Sequence, residues 1–262
     1  MNLRRILEQL MKRQISIDEA ERKIKLHEIE EIEKIIKYDL GRELRRNVPE
    51  IVLAEYKDNE ILEKIIHKIV EKSGRIILSR LREEHYKLLD KLSEKYNVKV
   101  NRIGRIAVIK RRDYKVNFTG GIVGLITAGT ADLPLAIEAK IILEEMGCRV
   151  VEIHDVGIAS IYRTISAIKK LINENVDVCI VIAGMEGALP SVIASLIDIP
   201  VIGLPSSKGY GLGGNGISAL LSMLQSCSTG LLVVNIDNSV GAAIAAALIA
   251  NRIAKFRGMR NG

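Results

Sequence analysis

A doubly wound, three-layer α/β sandwich preceded by a smaller α/β domain is the architecture this sequence predicts. From Gly121 onward, five short β-branched runs alternate with five helix-patterned segments. Each run is nearly unbroken in apolar residues, as strands covered on both faces must be. The charge balance changes as well. Up to Asn117 there are 29 Lys and Arg against 21 Asp and Glu; beyond it there are 10 against 11. Two differently built halves follow, a basic helical and α/β domain over 1–116 and a nucleotide-binding domain over 117–262. The basic half reads first as solvated helix faces, because Lys and Glu alternate closely in "ERKIKLHEIEEIEKIIK". Attraction of an anionic nucleotide is the functional alternative.

Taken in order, the first 40 residues place apolar side chains at helical spacing: Leu3, Ile6, Leu7 and Leu10, then Ile24, Ile29, Ile32, Ile35 and Ile36. "SIDEA" between them offers Ser16 or Asp18 as a cap, so two helices are expected. After "RRNVPE" come a strand in "IVLAEY", a helix in "DNEILEKIIHKIVEKSG", a strand in "RIILSRL", a helix from Glu83 to Tyr96, and strands within "VKVNRIGRIAVIKRR". The second half reads as a strand in "GIVGLITAG", a helix from Pro134 to Met146, a strand in "CRVVEIHDVG" and a helix to Asn173. There follow a strand in "VDVCIVIAG", a helix to Ile197, a strand in "PVIGLPSS", a helix to Ser226, a strand in "GLLVVNID" and a last helix from Val240. A five-stranded parallel sheet of flavodoxin-like type results.

Composition narrows the function classes. With 48% apolar residues the chain can bury a substantial core. Its apolar stretches are broken by Gly, Asp or Lys before the roughly 20 residues a membrane span needs, and it opens on charged residues, so a cytoplasmic protein without a membrane partner is expected. Cys148, Cys179 and Cys227 form no CxxC pair, and the four histidines show no HExxH, which leaves little basis for a disulfide framework or a transition-metal site. Mg²⁺ carried on phosphate is the metal expected, with no tightly bound organic cofactor. Trp is absent and Phe occurs twice, too few for base-stacking platforms, so no nucleic-acid partner is expected. The Ala-rich "VGAAIAAALIA" suits close helix packing, and a homo-oligomer is expected from it.

Ligands of doubly wound folds bind beyond the C-terminal ends of the strands. After the first strand, "TAGTADLPLA" supplies Thr127, Gly129 and Thr130, small enough for backbone amides to approach a phosphate. Asp132 follows, either a helix cap or a ligand of a ribose hydroxyl or of Mg²⁺. "HDVGIAS" offers His154 and Asp155; "IAGMEGALP" offers Glu186 at a helix start; "LPSSKGYGLGGNG" is a Gly-rich lid whose bulky polar groups are Lys208 and Tyr210. The GxGxxG formed by Gly209, Gly211 and Gly214 stands after the fourth strand, whereas a dinucleotide fingerprint follows the first. Asn235 and Asp237 in "VVNIDN" complete the substrate-binding candidates. Cys179 and Cys148 read as small buried hydrophobes. Cys227, in "SMLQSCSTG", stands at the C-terminal end of a helix, where the dipole opposes thiolate formation.

"NVPEIVLAEYKDNE", "YKVNFTGGIVGLITAGTADLPLAIEA", "HDVGIASIYR", "IAGMEGALPSVIAS", "GISALLSMLQSC" and "VVNIDN" together resemble the pyridinium-3,5-biscarboxylic acid mononucleotide synthase (LarB) family of nickel-pincer nucleotide biosynthesis, over nearly all of the chain after about residue 40. Pro49, Glu50 and Lys57 match family positions in the first domain. The second domain also resembles aminoimidazole ribonucleotide carboxylase through "AGTADLP" and the strand–helix order, but that enzyme carries a histidine in "AGGAAHLPG" where this chain reads "AGMEGALPS".

The first resemblance implies carboxylation at C5 of the pyridinium ring of nicotinic acid adenine dinucleotide by CO₂ or bicarbonate, with phosphoanhydride hydrolysis to release AMP. It implies Cys227 as the nucleophile that adds at ring C4 and makes C5 able to attack CO₂. Glu186 is the candidate for the C5 proton. The alternatives are a purine-type carboxylase or mutase, for which the missing histidine is a departure, and a non-catalytic nucleotide-binding module.

Overall fold

The computed structural model describes residues 3–25, 30–32, 36–38 and 46–260. The chain divides into two compact units, 1–100 with 107–114, and 101–106 with 115–262.

In the first unit, helices α1 (Leu3–Met11) and α2 (Ile17–Lys25) come first. Ser16, not Asp18, caps α2, its Oγ accepting the N–H of Glu19 at 3.1 Å. The helical spacing expected to run on to Ile36 ends at Lys25: β1 (Glu30–Ile32) and β2 (Ile36–Tyr38) pair antiparallel, with Ile32 opposite Ile36. β-Branched isoleucine suits an extended chain better than a helix, and a spacing of three and four residues does not separate the two over so short a stretch. Ile29 and Ile35 lie outside the described residues. The unit continues through β3 (Ile51–Leu53), α3 (Asn59–Ser73), β4 (Arg75–Ser79), α4 (Glu83–Leu92), β5 (Asn97–Asn101) and β6 (Ile106–Lys110). These strands form one sheet in the order β3-β4-β6-β5, with β3 parallel and β6 antiparallel to β4.

α3 starts where Asp58 accepts the N–H of Ile61 at 2.8 Å and stops at Gly74, whose φ of +83° and the Tyr114 ring beside it exclude a side chain. Its buried stripe, Leu62, Ile65, Ile66, Ile69 and Val70, packs with Ile76, Leu78, Leu89 and Ile109 in one apolar core. His85 is fully buried, its Nδ1 accepting the N–H of Arg82 while Nε2 donates to the carbonyl of Lys57. That pairing ties the loop after β3 to the loop after β4.

The second unit follows the expected alternation: β7 (Ile122–Thr127), α5 (Leu133–Glu145), β8 (Arg149–Ile153), α6 (Ile161–Asn173), β9 (Val178–Ala183), α7 (Ala188–Ala194), β10 (Val201–Pro205), α8 (Ile217–Leu224), β11 (Leu231–Val233) and α9 (Ser239–Arg260). The sheet order is β11-β10-β9-β7-β8, every neighbour parallel. Counted within this unit the order is 2-1-3-4-5, the flavodoxin-like winding, and its direction switches between β7 and β9. Every residue of β9 and β10 is buried. β11 is a three-residue edge strand with Leu232 exposed. α7 ends at Ala194, short of the expected Ile197.

α9 departs from one expectation. Its stretch Ser239–Gly258 is long and apolar enough to cross a membrane by length and composition. Ala242, Ala243, Ala246, Ala247 and Ala250 are nonetheless fully buried within the protein, where alanine lets two helices approach closely. The core demand for small residues produces the same composition as a weak span.

Candidate active site

The loops after the strands of the second unit hold strained backbone. Asp155 after β8, Met185 after β9, Asn215 after β10 and Asp237 after β11 all adopt positive φ, between 51° and 59°, without being glycine. Such conformations persist where surrounding structure over-determines them, and they gather at ligand sites.

Between these loops, at the β7/β9 switch, lies a cavity of about 310 Å³. Gly129, Ala131, Asp132, Gly157, Met185, Glu186, Ala188 and Lys208 are among its lining. Small residues make the walls, so polar groups enter singly. Asp132 is buried and stands at the N-cap position of α5, yet makes no side-chain cap there. Instead its Oδ2 accepts the N–H of Gly129 at 3.1 Å, and the Ser206 hydroxyl stands beside the carboxylate. Burial raises its pKa, nearby Asp237 adds to that, and the Ser206 hydroxyl and the Gly129 N–H oppose it.

Lys208 reaches the cavity because Gly184 has no side chain: a Cβ there would sit 2.0 Å from the Lys208 carbonyl oxygen. Glu186 is exposed at the mouth, directly before Gly187, whose φ of +65° opens α7.

The other sequence candidates divide into two groups. Thr127, fully buried at the end of β7, braces the floor: its Oγ1 lies 3.3 Å from His154 Nδ1 and accepts the N–H of Asp155 at 3.4 Å. Asp237 is near enough to Asp132 to raise its pKa, and accepts the N–H of Ser207 at 2.8 Å. Thr130, His154, Asp155, Tyr210, Asn235 and Cys227 do not line the cavity. His154 Nε2 faces Glu152 at 3.4 Å, and Glu152 in turn binds Lys140 at 2.5 Å. Asp155 is engaged by Arg163 of α6 at 2.8 Å. Asn235 accepts the N–H of the next residue, Ile236, at 2.9 Å. Tyr210 is 81% exposed, at the outer part of the lid. Cys227 is exposed in the turn between α8 and β11, ahead of its strand instead of behind it.

Sequence reasoning passed over Ser206. Its signal was a hydroxyl placed immediately after a fully buried strand, where only a partner can justify a polar atom.

A larger hollow of about 820 Å³ lies at the opposite, N-terminal ends of the strands, with Ile122, Arg149 and Arg257 in its lining. Both arginines there are already paired, Arg149 with Glu174 at 2.7 Å and Arg257 with the buried Asp177. The smaller cavity has the convergent polar groups and the position at the switch point that mark a ligand site.

A family model described as AIR carboxylase matches residues 122–257, and one described as a LarB/PurE-like N-terminal domain matches residues 29–112. The chain is 46% identical over 253 residues to an uncharacterized protein of Methanocaldococcus jannaschii, covering 95% of this chain and 97% of that one. It is 38% identical over 131 residues to the N5-carboxyaminoimidazole ribonucleotide mutase of Pyrococcus horikoshii, covering 48% of this chain and 70% of the mutase. With the mutase of the same name from Thermotoga maritima it shares 33% identity over 132 residues, 48% of this chain and 73% of that one.

Proposed function

Because the chain belongs to the AIR carboxylase family and carries a LarB/PurE-like domain ahead of the carboxylase domain, we propose that it carboxylates nicotinic acid adenine dinucleotide. In this reading CO₂ is fixed at C5 of the pyridinium ring and the phosphoanhydride is hydrolysed. The products are pyridinium-3,5-biscarboxylic acid mononucleotide and AMP, for nickel-pincer nucleotide biosynthesis in the cytoplasm.

The observation that carries the reading is at the cavity mouth. Set beside "AGGAAHLPG" of the purine enzyme, "AGMEGALPS" puts Ala188 where that enzyme has its histidine, and Ala188 lines the cavity. A methyl group cannot move a proton. Glu186, two residues earlier on the same wall, brings a carboxylate in its place.

A pyridinium carbon is electron-poor and does not attack CO₂. Addition of a thiolate at C4 forms a C–S bond, removes aromaticity and turns C5 into an enamine carbon. C5 then forms the new C–C bond to CO₂. Glu186 accepts the C5 proton, and departure of the thiolate from C4 restores the aromatic ring. Water supplies the hydroxyl that ends the phosphoanhydride.

Cys227 is the thiol assigned to this step, and it does not line the cavity of its own chain. The reading therefore includes a homo-oligomer in which the thiol of one copy meets the ring held by another. Leu221 and Leu224 of α8, exposed beside Cys227, are apolar surface such a contact would cover. Among the described residues no group of three or more His, Cys, Asp and Glu comes together. Asp132 and Asp237 would hold Mg²⁺ only jointly with the substrate's phosphates, whose charge it would neutralise.

The mutase relatives support a second reading, a purine ribonucleotide carboxylase or mutase. One experiment separates the two. The protein is incubated with nicotinic acid adenine dinucleotide, bicarbonate and Mg²⁺, and in parallel with N5-carboxyaminoimidazole ribonucleotide, and products are identified by mass spectrometry. A carboxylated pyridinium mononucleotide with AMP is expected. Conversion of the purine substrate alone would establish the second reading.

A further inference from the structure

Ser206 follows β10 directly and is fully buried. Its N–H donates to the carbonyl of Ala183 at the end of β9, at 2.9 Å. Its Oγ accepts the N–H of Lys208 at 3.2 Å and lies beside the Asp132 carboxylate, whose pKa it lowers. With its oxygen receiving Lys208, the hydroxyl keeps one proton to give, and the carboxylate beside it can only accept.

The neighbouring residues extend the same tie. Ser207 N–H reaches Asp237 Oδ1 at 2.8 Å, and Asp237 N–H returns to the Pro205 carbonyl at 2.9 Å. The end of β9 and the loop after β11 are thereby tied to the main chain of Pro205, Ser206 and Ser207, on which the hydroxyl stands.

We propose that Ser206 is a positioning residue of the cavity: its hydroxyl holds the Asp132 carboxylate and the main chain carrying Lys208 in the arrangement that receives substrate. The role rests on the reading of this cavity as the dinucleotide site. A hydrogen bond to a charged group contributes more than one between neutral groups, and leaving Lys208 N–H and one carboxylate oxygen without it lets both line the cavity in other geometries. Simple space-filling is the competing account. It makes alanine, smaller by one oxygen, nearly harmless to binding, and gives threonine no special power of rescue.

The test compares wild type, Ser206→Ala and Ser206→Thr. Binding of AMP and of nicotinic acid adenine dinucleotide is measured by calorimetry, KM and kcat with the same substrate, and the amide signals of Gly129 and Lys208 by NMR. Expected for Ser206→Ala are shifted Gly129 and Lys208 amides without ligand, Kd and KM raised roughly tenfold or more with kcat changed less, and restoration of all of these by Ser206→Thr. Wild-type affinity in Ser206→Ala, or threonine failing to restore what alanine loses, overturns the proposal. Should wild type bind neither probe, the dinucleotide reading falls, and the ligand-free amide shifts still decide whether Ser206 holds the two loops.

Discussion

Asp132 Oδ2 accepts the N–H of Gly129 at 3.1 Å, so the carboxylate braces the loop that precedes it instead of capping the helix that follows. Asn in its place keeps one acceptor for Gly129, loses the negative charge that the Ser206 hydroxyl favours, and relieves the repulsion from Asp237. These changes oppose one another. Asp132→Asn should melt within about 2–4 °C of wild type, the shift that corresponds to about 1 kcal/mol in a chain of this size. Its KM for the dinucleotide should rise tenfold or more, because the charged group in the cavity is gone. Thermal melts and steady-state kinetics check both; unchanged kinetics would leave Asp132 as a loop brace only.

Glu186 and Ala188 occupy one wall of the cavity, a carboxylate and a methyl group. If the carboxylate takes the C5 proton, Glu186→Gln should slow carboxylation by roughly 10²–10⁴-fold, the range for loss of a general base. Glu186 is exposed and outside the core, so the fold should be indifferent to the change. Binding of the dinucleotide by calorimetry should stay within a few-fold. Full turnover in the Gln variant would assign proton removal to another group or to water.

The sheet of the second unit was legible because its central strands are buried on both faces, and burial forces an unbroken apolar run such as "VCIVIA" that no surface element tolerates. The antiparallel pair of β1 and β2 was not, because Ile32 and Ile36 stand four residues apart, which satisfies a helical stripe as well as a hairpin. At the site, Gly129, Asp132, Glu186 and Lys208 follow strand ends in the chain, and the parallel winding carries strand ends to one edge, so position in sequence became position in space. Ser206 and Cys227 needed more. The value of the Ser206 hydroxyl depends on Asp132, far back in the chain, and the place of Cys227 depends on which end of β11 it precedes.

The two buried thiols yield a pH prediction. Burial, and less so nearby Asp177, pushes Cys148 from an ordinary 9.0 up to about 12, and burial pushes Cys179 higher still. An acid whose folded pKa exceeds its unfolded one holds its proton more tightly when native. Each thiol therefore lends its stability in full below pH 9, and Cys148 loses its share as pH rises toward 12. Urea unfolding from pH 8 to 11 should show wild type losing stability more steeply than Cys148→Ala, whatever the offset between them at pH 8. Parallel slopes would show that the Cys148 thiol titrates alike in both states.

Exposure separates Cys227 from the other cysteines, and a thiol reagent on the native protein should label it first, with Cys148 and Cys179 following only on unfolding. Its chemistry is a separate matter from its accessibility. Reversible addition to a pyridinium ring needs a soft, strong nucleophile, and a serine hydroxyl stays protonated near neutral pH without an adjacent base. The neighbours in "QSCSTG" supply none, and Ser228, the nearest hydroxyl on the strand side, donates to the Ser191 carbonyl at 2.7 Å. Cys227→Ser should therefore abolish carboxylation while leaving the melt unchanged, since the side chain is exposed. Wild-type protein mixed with NAD⁺ or its acid analogue should develop a dihydropyridine absorbance band, and the serine variant should not. Because the thiol lies off the cavity of its own chain, the proposed contact between copies is tested by Leu221→Lys, which puts a charge on the exposed face of α8: the subunits should dissociate and the band should vanish. A band that persists in dissociated protein would place the reacting thiol and the ring in one chain, and normal product from Cys227→Ser would remove the covalent step.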